Sequence, residues 1–206
     1  MKKILFCIFL CGYVAVNAQD SSAGSIIEKI RQANVNCTSI TSDFTQIKHL
    51  SFMNEDVISS GKFFYRKSDR LLMQYGQPAG DLMLINKDHL VMITNGKYSK
   101  ASAKISSRAR TMKNILSSCL QGDASLIDGV TLTSEETADS YVVTAKLKKK
   151  TKSGVNKVVL NYDKSDMTLS VLRMEEADGS YTVYTLVNKV LNQPIGDGVF
   201  KAPARR

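Results

Sequence analysis

The 206-residue sequence has no tryptophan, two histidines and three prolines. Two histidines cannot build a multi-histidine metal centre, and no cysteine pair stands at zinc spacing. There is no H-E-x-x-H, no G-x-S-x-G elbow and no glycine-rich phosphate loop ahead of a helix. The adjacent carboxylates Glu135-Glu136 and Glu175-Glu176 would point to opposite faces of a strand, so they read as solvated surface. An enzyme would need a site assembled from distant segments, around His49 or His89. None is indicated, so no catalytic residue, metal or cofactor is assigned. No repeat or heptad runs through the chain.

Acid is the scarcer charge, 19 residues against 28 Lys plus Arg, for a net of +9. That excess invites a nucleic-acid or membrane-surface reading. The N-terminus alters the figures. Met1-Lys2-Lys3 is followed by apolar residues from Ile4 to Val16 with only Gly12 between, and Val16-Asn17-Ala18 offers a cleavage site before Gln19. The run is too short for a comfortable membrane span and reads as a cleaved secretory signal over residues 1–18. Leu10 before Cys11 does not fit a lipoprotein signal. Loss of Lys2 and Lys3 leaves 26 basic and 19 acidic residues, a net of +7, in one exported domain, 19–206. Cys37 and Cys119 remain, either paired in an oxidising compartment or buried as free thiols.

Ile26, Ile27, Ile30, Ala33 and Asn34 recur at helical spacing over 25–36, with Ser22 or Ser25 as a cap. From Ser39 the period becomes two. Strands are expected at 39–46, 57–66, 71–75, 82–85 and 90–94, separated by Ser68-Asp69, Gln77-Pro78-Ala79-Gly80, Asn86-Lys87-Asp88 and Asn95-Gly96. A second amphipathic helix is expected over 105–120, with Arg108, Arg110, Lys113 and Asn114 on its polar side. Strands resume at 130–134, 141–147, 157–162, 169–176 and 181–188, with an Asp178-Gly179 hairpin turn and a last short strand at 198–200. The fold class is mainly β (α+β): a half-open antiparallel barrel of about ten or eleven strands.

Several strands are apolar on both faces. Ile58 and Phe64 oppose Val57, Phe63 and Tyr65; Leu82 and Leu84 oppose Met83 and Ile85. A sheet with one wet face alternates cleanly, so both faces here are sheltered or used. Two helices can shelter only part of such a sheet. Either the sheet wraps around them completely, or it also encloses a cavity for an apolar ligand, with helix 105–120 as the candidate lid. Phe44, Phe63, Tyr65, Leu72, Tyr75, Leu84, Met92 and Ile93 are the candidate walls, and Met112, Ile115 and Leu116 the inward face of the lid.

Ser42-Asp43-Phe44-Thr45-Gln46, Ser60-Gly61-Lys62-Phe63-Phe64-Tyr65, Asp69-Arg70-Leu71-Leu72-Met73-Gln74-Tyr75 with Gln77-Pro78, and Asp197-Gly198-Val199-Phe200-Lys201-Ala202-Pro203 occur in that order. Together they resemble the periplasmic lipoprotein carrier family LolA across essentially the whole exported chain. The resemblance implies an unclosed barrel with helices lying in its mouth, a periplasmic location and carriage of lipoproteins by their acyl chains. It implies as partners acylated lipoproteins, an inner-membrane lipoprotein-releasing ABC transporter, and an outer-membrane acceptor or membrane surface. The carrier itself would be a monomer without nucleic acid. The family's latch arginine falls at Lys67, with Arg66 beside it, and Met73 stands where a tryptophan is common. The alternative on the same fold is a lipid or glycolipid binder, or a regulatory module. The run Lys146–Lys152 reads as a solvated hairpin tip, with an anionic contact as its alternative.

Overall fold

The computed structural model describes residues 19–77, 79–104, 106–148 and 154–203, apart from the side chains of 19–23 and Arg108. The expected signal segment, Pro78, Ile105 and most of the lysine tip lie outside the described residues.

Helix α1 spans Gln19–Asn34, so Ser22 and Ser25 lie inside it and neither caps it. It buries Ile30 and Asn34 on the face the spacing predicted. The strands follow as β1 (Ser39–His49), β2 (Val57–Arg66), β3 (Arg70–Tyr75), β4 (Leu82–Asn86), β5 (His89–Thr94) and β6 (Lys97–Ser102). Helix α2 is Ser107–Leu120, after which come β7 (Val130–Glu136), β8 (Ser140–Leu147), β9 (Val155–Asp163), β10 (Leu169–Glu176) and β11 (Tyr181–Leu191). The short strand expected at 198–200 is instead a 3-10 turn, Asp197–Phe200. The eleventh strand is β6, entered through Asn95-Gly96, both at positive φ as a two-residue hairpin requires.

All eleven strands form one antiparallel sheet in the order β6-β5-β4-β3-β2-β1-β11-β10-β9-β8-β7. Two meanders are thus joined through the β1–β11 pair, and β6 and β7 are left as edges. The connection between those edges contains α2. An extra residue in β11 opposite Thr41–Asp43, with Asn188 at φ 54°, bends the sheet at its middle.

Two apolar clusters result, one on each face. On the concave face Phe44, Phe63, Tyr65, Leu71, Met73 and Met83 pack with Ile115, Leu116 and Cys119 of α2, and with Leu160, Leu172 and Leu186. On the convex face Leu72, Leu84 and Val91 pack under Ile195 and Phe200 of the C-terminal segment. No helix among the described residues is long and apolar enough to cross a membrane.

Candidate ligand cavity and lid

Strand register decides which side chains face the cavity. Phe63, Met73, Met83 and Met92 pair in sequence across β2, β3, β4 and β5 and so share the concave face. Their neighbours Phe64, Leu72, Leu84 and Val91 share the convex one. Of the expected walls, Phe44, Phe63, Tyr65 and Tyr75 belong to the concave cluster. Met92 lies on that face but near its rim, 40% exposed. Leu72 and Leu84 are corrected: they pack on the opposite face, and Ile93, two residues from Val91, goes with them. The lid residues Ile115 and Leu116 are buried and Met112 packs beside them.

Gly61 sets the geometry of the floor. It stands between Phe44 and Tyr75 in the register, and a Cβ there would lie 2.0 Å from the Gln74 carbonyl oxygen. With no side chain between them, the two rings meet edge to face at 5.2 Å. The Tyr75 hydroxyl donates to Gln46 Oε1 at 2.5 Å, and burial pushes its pKa up, keeping it a neutral donor. Two other concave-face hydroxyls, Ser42 and Tyr65, are buried with no hydrogen-bond partner among the described residues. Each such orphan costs about 1–3 kcal/mol.

Beneath the lid, Phe63, Leu71, Met73, Leu169, Leu172 and Tyr184 face Leu116 and Leu120 across a residual cavity of about 20 Å³. A water needs roughly 10–15 Å³ of such space, whereas ligand pockets run to roughly 300–1,000 Å³. The space beneath α2 is therefore filled and is too small, as it stands, for a ligand of that size. The larger hollow, about 500 Å³, is an open trough of mixed lining around Gly61, where the side chains of Asp43, Ser60, Lys62 and Gln74 face the convex side.

Polar contacts hold α2 at its ends and rim. Ser106 caps it by accepting from the Ala109 amide. The Arg110 guanidinium donates to the Ala103 and Lys104 carbonyls at 2.8 and 2.9 Å. Lys113 lies between Asp69 (2.9 Å) and Asp88 (3.3 Å), and the Ser117 hydroxyl donates to Asp69 at 3.0 Å. Burial alone would lower the Lys113 pKa, but the two carboxylates outweigh it and raise it; Lys113 in turn lowers that of Asp88. Asp69 makes these contacts from a left-handed turn, φ 61°, a conformation non-glycine residues rarely adopt. At the far end the Tyr162 hydroxyl donates to the Cys119 carbonyl at 2.8 Å. There Gly122 lies so close to Asn34 that a Cβ would sit 2.8 Å from its amide nitrogen, which itself donates to Ile30 and Met167.

The expected latch residues do other work. Arg66 faces the convex side, donates to the Ile195 carbonyl at 2.6 Å, pairs with Asp197 and lies over the Phe200 ring. Lys67 donates to the Val35 carbonyl just beyond α1, at 2.6 Å. The ion pairs of α2 are made by Lys113, which the sequence places on the polar side of the helix. Cys37 and Cys119 are both buried free thiols, the second of the two options left open for them. His49 bonds Asp56 and stacks on Tyr181, whereas His89 begins β5. Among the described residues no three His, Cys, Asp or Glu side chains are placed to hold a metal.

A curved open sheet with an apolar concave face and a helix laid over it defines a lidded half-barrel. The sequence matches the family of the outer membrane lipoprotein carrier protein LolA over residues 35–203, and the chain belongs to that family. No curated protein matches it as a close relative. Among solved structures it is similar to a DUF1329 family protein from Desulfovibrio piger, at 15% identity and TM-score 0.54, covering 90% of this chain and 98% of that one. It is also similar to a putative outer membrane lipoprotein-sorting protein domain from Vibrio parahaemolyticus, at 13% identity and TM-score 0.50, covering 87% and 96%. MucB of Pseudomonas aeruginosa, solved with MucA, matches at 10% identity and TM-score 0.53, covering 89% of this chain and 62% of that chain. At these identities the structures speak for the fold alone.

Proposed function

We propose that this protein is a periplasmic carrier that shields the acyl chains of lipoproteins beneath α2 and shuttles them from the inner to the outer membrane. The observation that carries the reading is an apolar concave core roofed by one helix whose polar ties sit at its ends and rim. Burying an acyl chain in such a core gains roughly 0.8 kcal/mol per methylene, so a lipoprotein needs a cover to cross an aqueous space. The cover must also let go, and α2 rests on the core through apolar packing that acyl chains could replace, with a few polar ties at its ends and rim. The unpaired hydroxyls of Ser42 and Tyr65 would gain the carbonyl of an acyl ester or amide as a partner. Met73 and Met83 on the floor, with Met112 on the lid, can repack around chains of different shape. Release of cargo from an inner-membrane ABC transporter and delivery to an outer-membrane acceptor complete the cycle under this reading.

A solvatochromic fatty-acid probe tests it. The protein from Gln19 onward should bind the probe with a blue shift, and Met112→Asp should weaken binding by tenfold or more. Absence of binding by the unsubstituted protein overturns the proposal.

A further inference from the structure

The charge of the exported chain is unevenly placed. Lys97, Lys100, Lys104, Arg108, Arg110 and Lys113 fall within 17 residues that contain no acid, so six of the seven excess positive charges of residues 19–206 lie there. Five lysines at 146–152 supply a second basic segment, and the rest of the chain has 15 basic against 19 acidic residues. The first segment is one corner of the fold. β6 is a free edge of the sheet, and α2 starts five residues after it ends. Exposed Lys87 adjoins it in the turn before β5.

Lysine on an edge strand deters unwanted strand pairing, which would account for Lys97 and Lys100. It does not account for Lys104, Arg108 and Arg110, which lie beyond the strand. The first turn of α2 has no acidic residue, although acids suit the positive end of a helix. Arg110 there directs its guanidinium at the Ala103 and Lys104 carbonyls, yet keeps its positive charge unpaired by any acid among the ion pairs of the described residues. The acids facing this corner are few. Asp69 and Asp88 are both engaged by Lys113, Asp88 also has Lys104 at 3.5 Å, and buried Asp81 caps the β5–β6 turn. Lys97 and Lys100 have no such neighbour among the ion pairs of the described residues.

We infer that the β6–α2 corner docks this protein on an anionic membrane surface, with the lid helix brought against the lipid. The proposal deepens the carrier reading and takes its purpose from it; the contact itself follows from charge alone. Lys97 and Lys100 pair with Thr94 and Val91, on opposite faces of the edge strand, so cations flank the edge on both sides. Their long stems can lie along an apolar layer while their heads meet phosphates. Nucleic acid fits less well, because the segment's one aromatic ring, Tyr98, is packed into the convex cluster and offers no stacking platform.

Sedimentation with vesicles of phosphatidylcholine, with and without phosphatidylglycerol, tests the inference. Binding is expected only to the anionic vesicles and is lost at high salt. Each cation near such a surface is worth about 1 kcal/mol, or about fivefold in partition. Lys97→Gln, Lys100→Gln and Lys104→Gln together should therefore lower partition about a hundredfold. All three side chains are exposed, and the triple variant should unfold within a few degrees of the parent. Lys146→Gln, Lys148→Gln and Lys149→Gln remove the same charge and should cost less than tenfold. No binding of the parent to anionic vesicles, a larger loss from the second triple variant, or corner-dependent binding to an acidic protein but not to vesicles overturns the proposal. Vesicle binding without fatty-acid probe binding sustains the docking corner and sinks the carrier reading; the reverse sinks the corner alone.

Discussion

The two faces of the same sheet are finished in different ways. On the convex face Leu72, Leu84 and Val91 are sealed by Phe200 and Ile195, and Arg66 clamps that segment through Asp197 and the Ile195 carbonyl. On the concave face the roof is α2, which packs Ile115, Leu116, Cys119 and Leu120 into the core and is tied at its ends and rim through Lys113, Ser117, Arg110 and the Cys119 carbonyl. The convex cover is the segment that follows β11, folded back onto the sheet. The concave cover is a connection between two sheet edges, which can move without unpairing a strand. Under the proposed carrier reading, one face stays as stable core and the other exchanges its cover for a ligand.

Three measurements would break or sharpen that contrast. Phe200→Ala should have the largest effect. It empties a fully buried ring site and should lower unfolding stability by about 3–5 kcal/mol, while the surviving folded protein binds the fatty-acid probe unchanged. Denaturant unfolding and probe titration together check it, and altered probe affinity would show that the faces are coupled. Lys113→Ala should act the other way round. Its cost in stability should be about 1–2 kcal/mol, above that of an exposed pair because only 17% of the lysine side chain is exposed. Probe uptake, followed by stopped flow, should accelerate severalfold.

The smallest effect is that of pH on the same tie. Asp88 has its pKa lowered from the ordinary 3.8, so its contribution is whole above that value and fades as pH falls through the lowered one. Lys113 has its pKa raised from 10.5, so its contribution is whole below that value and fades as pH rises past the raised one. Probe uptake should be flat between the two and quicken at either extreme. A change near neutrality would point to a different tie.

Much of the architecture could be read from periodicity. Ten strands and both helices lie where apolar spacing and turn residues put them, because a meander with short turns is specified locally. The edge β6 escaped because Lys-Tyr-Ser-Lys-Ala-Ser has scarcely any apolar face, although Asn95-Gly96 announced a hairpin that needed a second arm. Phe200 reads as a strand residue in the sequence, yet it plugs the convex cluster from a 3-10 turn. The site was less legible. Where strands are apolar on both faces, alternation separates Met83 from Leu84 but cannot say which side curls inward; the β11 bulge and the helix between the edges decide that. Lys113 was hidden for a related reason, since its partners Asp69 and Asp88 sit in turns remote in sequence.

Cys119 has a consequence of its own. Its sulfur lies on the inner side of α2 with 0% exposure, and burial holds the thiol protonated and unreactive. A maleimide can reach it only when the helix swings away. Cys37, off the lid and also shielded, supplies an internal reference for opening elsewhere. The protein thus contains its own stopwatch: the ratio of the two labelling rates counts how often the roof is raised, with no residue substituted and no ligand supplied.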